Sequence, residues 1–189
     1  MLFMLLIVNP VISAQENPKN ILGVSMGITP GLFDLYIGEP HDIWPSRKTG
    51  PVYHIFYAVQ IKESLRIGPY YEYEQAKFSD DNSEGIYGFD RYNLGVNWLT
   101  QFPLRPLHFQ FGGYIGYGFL KAQSWDKLTG FDFGLMAGPA YEWNRLGISL
   151  HIESGNGLYS SNGSPGRLII YTPRILAKIY IKFSGIRLF

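Results

Sequence analysis

The sequence has no cysteine, which excludes disulfide frameworks and thiolate metal centres. It is short of charge. Only 16% of its residues are Asp, Glu, Lys or Arg, against about 25% in an ordinary soluble domain. The 16 basic and 15 acidic residues nearly cancel, leaving a formal charge of +1. That balance excludes the basic field by which proteins hold nucleic acid. No run of 18 apolar residues follows the N-terminal region, so no transmembrane helix is expected, and helical periodicity is nearly absent. What is present is aromatic and small: 14 Tyr, 13 Phe and 22 Gly in 189 residues. So aromatic a chain of near-zero net charge is not disordered, and its length fits one domain.

The N-terminus reads as a targeting segment. Leu2 to Val8 is unbroken apolar sequence, too short to cross a bilayer, which takes about 20 residues. Pro10 ends it, and the small residues Ser13 and Ala14 precede a polar stretch, the pattern of a signal-peptidase site. Residues 1–14 are therefore expected to be a signal peptide and 15–189 one mature domain.

The rest of the chain alternates with period two. In Leu107 to Leu120 the odd positions include Leu107, Phe109, Phe111, Ile115, Tyr117 and Phe119. The even positions are His108, Gln110, Gly112, Tyr114, Gly116, Gly118 and Leu120. One face is bulky and apolar, the other polar or tiny, as in a strand that lies between two environments. Seven further segments read likewise: Ile21 to Ile28, Val52 to Lys62, Leu65 to Phe78, Ile86 to Thr100, Phe131 to Trp143, Leu146 to Leu158 and Ile175 to Phe183. Short connections, near residues 62–64, 101–106 and 144–145, alternate with long ones at 29–50, 79–85, 123–130 and 160–166. This is the pattern of an eight-stranded up-and-down antiparallel barrel.

Eight strands leave an interior barely wide enough for side chains. The bulky set cannot crowd inside while the Gly-rich, lightly charged set serves as a wet surface. With the faces reversed, small and charged residues fill the lumen and the bulky set meets lipid, with aromatic residues near the strand ends. The expected lumen network is His54, Arg66, Glu72, Glu74, Arg91, His108, Asp132, Glu142, His151, Glu153, Lys178 and Lys182, a plug of ion pairs rather than a catalytic centre or a wide pore. The first long loop carries Phe33, Tyr36, Asp42, Trp44 and Arg47, aromatics beside charges as on contact surfaces. No metal site and no cofactor is expected.

The final strand alternates through Ile175 to Phe183 and the sequence ends in Phe189, with a departure at Gly185 and Arg187, which stand in phase with Phe189. With the N-terminal segment and the eight strands, this resembles bacterial outer-membrane β-barrel proteins of the small OmpA/OmpX-like type. The resemblance implies residence in the outer membrane, membrane lipids and the insertion machinery as partners, a monomer, and Phe189 as the assembly signal. It implies a structural, adhesive or loop-binding role at the cell surface, without enzymatic activity. Two alternatives stay open. The stretch around His151 and Ser154 faintly resembles outer-membrane lipid A deacylases, although their three-residue spacing sets them on opposite faces of a strand without a bulge. A secreted soluble barrel that holds a small ligand is the other.

Deleting Phe189 removes on the order of 2 kcal/mol of burial, too little to unfold a barrel. Its expected effect is on assembly: a lowered membrane-embedded fraction in cells, while the same variant refolded in detergent keeps its heat-modifiable gel shift. Normal membrane levels of the variant would show that Phe189 is no signal.

Overall fold

The structure, a computed structural model, describes residues 20–30, 35–38, 46–48, 50–62, 64–79, 86–104, 107–122, 127–160, 167–171 and 173–184. The signal-peptide segment, Phe189 and the loop residues Phe33, Asp42 and Trp44 lie outside these. The described residues form eleven strands: β1 (Asn20–Thr29), β2 (Leu35–Gly38), β3 (Ser46–Lys48), β4 (Gly50–Lys62), β5 (Leu65–Ser79), β6 (Ile86–Leu104), β7 (Leu107–Ala122), β8 (Leu128–Trp143), β9 (Leu146–Ser160), β10 (Arg167–Tyr171) and β11 (Arg174–Phe183). Eight of them form the ring, in the order β11-β1-β4-β5-β6-β7-β8-β9, and β9 pairs back with β11. Every pairing is antiparallel. The seam joins first and last strands from Asn20↔Phe183 to Ile28↔Ile175. The chain is thus a closed, eight-stranded, all-antiparallel barrel.

The three remaining strands are continuations of ring strands. β10 pairs with β9 at Tyr171↔Asn156 and β11 resumes at Arg174↔Glu153 in the same register. β10 and β11 are therefore one strand interrupted before Arg174, where Pro173 has no N–H for the ladder. β2 pairs with β10 and β3 with β5, so both extend the wall on the long-loop side. The sequence pattern did not announce these pieces, because each is short and set off by Pro30, Thr49 or Pro173.

Three connections on the opposite end are two residues long, at 63–64, 105–106 and 144–145. Asn144 has φ 44°, a left-handed conformation that Asn tolerates. The six-residue connection expected at 101–106 is shorter, because β6 runs on to Leu104 through Pro103. Beyond Thr100 the β5 ladder has ended. There β6 keeps β7 as its ladder partner, and a proline on such an edge leaves no buried bond unmade.

The faces fall as the alternation demands. Leu22, Val24, Met26, Ile55, Leu94, Phe109, Ile115, Tyr117, Phe131, Leu135, Ile152 and Ile179 are exposed on the outer wall. Their inward neighbours, such as Ser25, His54, Asn93, Gln110, Asp132 and Lys178, are buried. A surface this apolar is insoluble in water and matched to hydrocarbon. Rings gather towards both ends of the wall. Tyr53, Tyr73, Tyr92 and Phe119 form a continuous ladder with centroids 4.8–6.2 Å apart, while Tyr141 packs on Trp143 and Tyr57 on Phe183 at the other end. These are the aromatic girdles of a membrane barrel. Gly113 also points outward, but the Trp98 ring lies over it, 2.4 Å from where a Cβ would stand.

Because the chain has no native cysteine, facing can be read residue by residue. Phe109→Cys, Ile115→Cys and Tyr117→Cys in bilayer-reconstituted protein should resist a membrane-impermeant thiol reagent and react with a lipid-soluble one. Rapid reaction of all three with the impermeant reagent would mean that this wall faces water.

Candidate functional site

The lumen gathers the charge that the sequence can place nowhere else. β5, β6, β8, β9 and β11 each aim alternate residues inward, and their registers bring acids level with bases. At the centre is Arg91 on β6. It donates to Glu72 at 3.0 Å, Glu74 at 2.6 Å and Asp132 at 3.2 Å. Arg174 donates to Glu72 and, at 3.5 Å, to Glu74. Lys178 reaches Glu153 at 3.0 Å. Thr29 donates to Glu74 at 2.6 Å and Tyr159 to Asp132. Both guanidiniums are essentially removed from solvent, at 0% and 1% exposure. A second group lies near the short turns, where Glu142 accepts from Arg66 at 3.0 Å, Lys182 at 3.2 Å and the Tyr180 hydroxyl at 2.8 Å.

Between them lies a belt of low polarity: Ile21, Phe56, Ala58, Tyr70, Tyr114, Met136 and Tyr180. Tyr70 meets Tyr114 edge-on at 5.9 Å. The glycines of the inward set make room for these rings. A Cβ on Gly155 would stand 2.1 Å from the Tyr114 hydroxyl oxygen, and one on Gly147 2.3 Å from the Tyr180 ring.

Of the lumen residues expected from sequence, Arg66, Glu72, Glu74, Arg91, Asp132, Glu142, Glu153, Lys178 and Lys182 all enter ion pairs. His54 bonds Ser25 Oγ through Nδ1 at 3.0 Å, and His151 bonds Gln110 through Nε2 at 2.9 Å. His108 is half-buried near the β6–β7 turn, outside both ionic groups. Tyr36 and Arg47 fall on β2 and β3, with their side chains outside the described residues.

Arg174 is the residue that sequence reasoning missed. It follows Pro173, so it read as loop. Its signal was arithmetic: the nine expected ionic residues comprise five carboxylates and four cations, one cation short of neutrality in a low-dielectric interior. With Arg174 the paired cations Arg66, Arg91, Arg174, Lys178 and Lys182 equal the carboxylates Glu72, Glu74, Asp132, Glu142 and Glu153.

His151 faces the lumen and is fully buried, whereas Ser154 is exposed on the outer wall. The β8–β9 register runs unbroken through Met136↔Glu153, Leu135↔Ser154 and Gly134↔Gly155. No bulge aligns the two side chains. Among the described residues, no three His, Asp or Glu side chains are placed to hold a metal ion.

Closure, an apolar outer wall with aromatic girdles and a packed ionic lumen define a small transmembrane barrel of the bacterial outer-membrane type. The solved structures it resembles are of that class. Neisserial surface protein A superposes with a TM-score of 0.60 at 12% identity, over 87% of this chain and 96% of that one. The outer membrane protein OprG of Pseudomonas aeruginosa gives 0.53 at 7% identity, over 89% and 98%. The outer membrane protein AlkL gives 0.52 at 11% identity, over 96% and 98%. A scan against protein-family models finds no match, and neither does a search of curated proteins. The likeness is one of fold.

Arg91→Met should destabilise the barrel by about 3–5 kcal/mol, because it leaves Glu72, Glu74 and Asp132 short of a buried counter-charge. Lys182→Met, near the water-facing end, should cost less than half as much. Urea unfolding of the two variants in the same detergent tests the order. Equal stability of Arg91→Met and the parent would mean that the lumen is hydrated.

Proposed function

We propose that this chain is an outer-membrane protein that acts through its long-loop end, in a structural, adhesive or surface-binding role, and that its lumen neither conducts nor catalyses. The observation that carries this is the filled interior. Arg91 and Arg174, both held by Glu72 and Glu74, join β5, β6 and β11 directly across the lumen. The Tyr70, Tyr114 and Tyr180 rings close the next level. A solute or hydrated ion would have to part ion pairs that are each worth several kcal/mol once stranded.

With the interior filled, interaction falls to the rims. The segment between β1 and β4 is the longest connection, and its sequence carries Phe33, Tyr36, Asp42, Trp44 and Arg47. Neisserial surface protein A, by its name a surface protein, supports the same reading. The opposite facing of His151 and Ser154 speaks against a lipid-deacylating role, and the packed lumen against a ligand carrier.

Reconstituted in planar bilayers, the protein should give no stable conductance steps. Expressed at the cell surface, the full-length protein should confer adherence, and removing residues 39–45 should abolish it while leaving heat-modifiability intact. Discrete single-channel currents, or unchanged adherence in the deletion, would overturn the proposal.

A further inference from the structure

A small cavity lies in the lumen between the two ionic groups, enclosing about 20 Å³. Gln110, Ser149, His151, Lys178, Asn97 and Tyr180 line its polar side, and Phe56 with Met136 its apolar side. Two buried polar atoms on this wall, Ser149 Oγ and His151 Nδ1, have no hydrogen-bond partner. Both residues point inward from β9, two positions apart, and are buried at 7% and 0% exposure. Volume and chemistry suit one water: about 10–15 Å³ holds one, given two or more polar partners. We infer that this cavity is an internal water site, in which a single water joins Ser149 to His151.

The polarity of that water follows from the bonds around it. Glu142 is a carboxylate paired with Arg66 and Lys182, so it only accepts, and the Tyr180 hydroxyl donates to it at 2.8 Å. The Tyr180 oxygen then accepts from the Gln110 amide N–H at 3.2 Å. The Gln110 carbonyl therefore faces His151, and His151 Nε2 must carry the proton donated to it at 2.9 Å. In the neutral ring Nδ1 is then a bare acceptor. Unmet in a low-dielectric interior, such a group keeps its full desolvation penalty. A water donates to Nδ1 and accepts from the Ser149 hydroxyl. The result is one chain of donors, Ser149 to water to His151 to Gln110 to Tyr180 to Glu142. It runs one way and ends on the carboxylate beside Arg66 and Lys182. Because Gln110 is an amide, the chain orients dipoles and does not relay protons.

The test is 15N NMR of ring-labelled histidine in the full-length barrel in lipid, with the His151 signals assigned by their loss in His151→Asn. The expected result is a neutral Nε2–H tautomer, an Nδ1 shifted as a hydrogen-bonded acceptor, and magnetisation transfer from water to His151. In Ser149→Ala the water keeps only one of its two partners, so magnetisation transfer from water to His151 should weaken. An Nδ1–H tautomer, an unbonded Nδ1, or no water transfer would overturn the site. So would a transfer undiminished in Ser149→Ala, since Ser149 would then play no part in holding the water.

Discussion

Everything in this barrel follows from the backbone's need for hydrogen bonds in a solvent that offers none. Hydrocarbon cannot satisfy a free N–H or C=O, and each one left open costs several kcal/mol. A sheet can meet that demand only by closing, which the seam from Asn20↔Phe183 to Ile28↔Ile175 does. Closure with eight strands sets the diameter, and the diameter sets what can lie within. The long-loop end shows the same rule from the other side. There the wall breaks before Arg174 at Pro173 and is continued by the short strands β2, β3 and β10, an irregularity that a ladder deep in lipid would not tolerate.

Reversed solvation then dictates the lumen. The outer wall can hold no charge near mid-membrane, so the charges point inward, where the dielectric is also low. They are bearable there only in pairs. The paired cations and carboxylates balance over the whole lumen but not within each group. The larger group has three cations, Arg91, Arg174 and Lys178, against four carboxylates, and the smaller has Arg66 and Lys182 against Glu142. Opposite residual charges at the two levels attract through the intervening belt. The hydrogen-bond chain from His151 through Gln110 and Tyr180 to Glu142 lies in that belt with its donors aimed at the cationic group's carboxylate.

How much of this was legible depended on whether a property repeats along the chain. Facing repeats every two residues, so the alternation of Leu107 to Leu120 already assigned Phe109, Ile115 and Tyr117 to lipid and Gln110 and Tyr114 to the lumen. The same holds for the nine ionic residues now seen paired. Local exceptions were not legible. Pro103 looked like a turn because its strand's missing neighbour is a tertiary fact. Arg174 looked like loop because Pro173 hides the unbroken register of β10 and β11 on β9. Pairing was legible only as charge balance, since which acid meets Arg91 depends on stagger between strands distant in sequence. Tyr114 and Gly155 show the same limit. Each reads as an inward residue, but the ring's dependence on the missing Cβ appears only when the strands are assembled.

A lumen held by several ion pairs, ring contacts and glycine cradles resists repacking. Parting Arg91 from its carboxylates exposes buried charge, and moving Tyr114 drives it into the backbone around Gly134 and Gly155. Such an interior gives a binding event at one rim nothing bistable to act on. On the reading proposed above, specificity is local to the loops, where sequence can vary without disturbing register, pairing or closure. The wall sets where those loops stand. A fold shared at 7–12% identity with solved outer-membrane barrels asks of its sequence only alternation, small residues beneath rings and balanced buried charge.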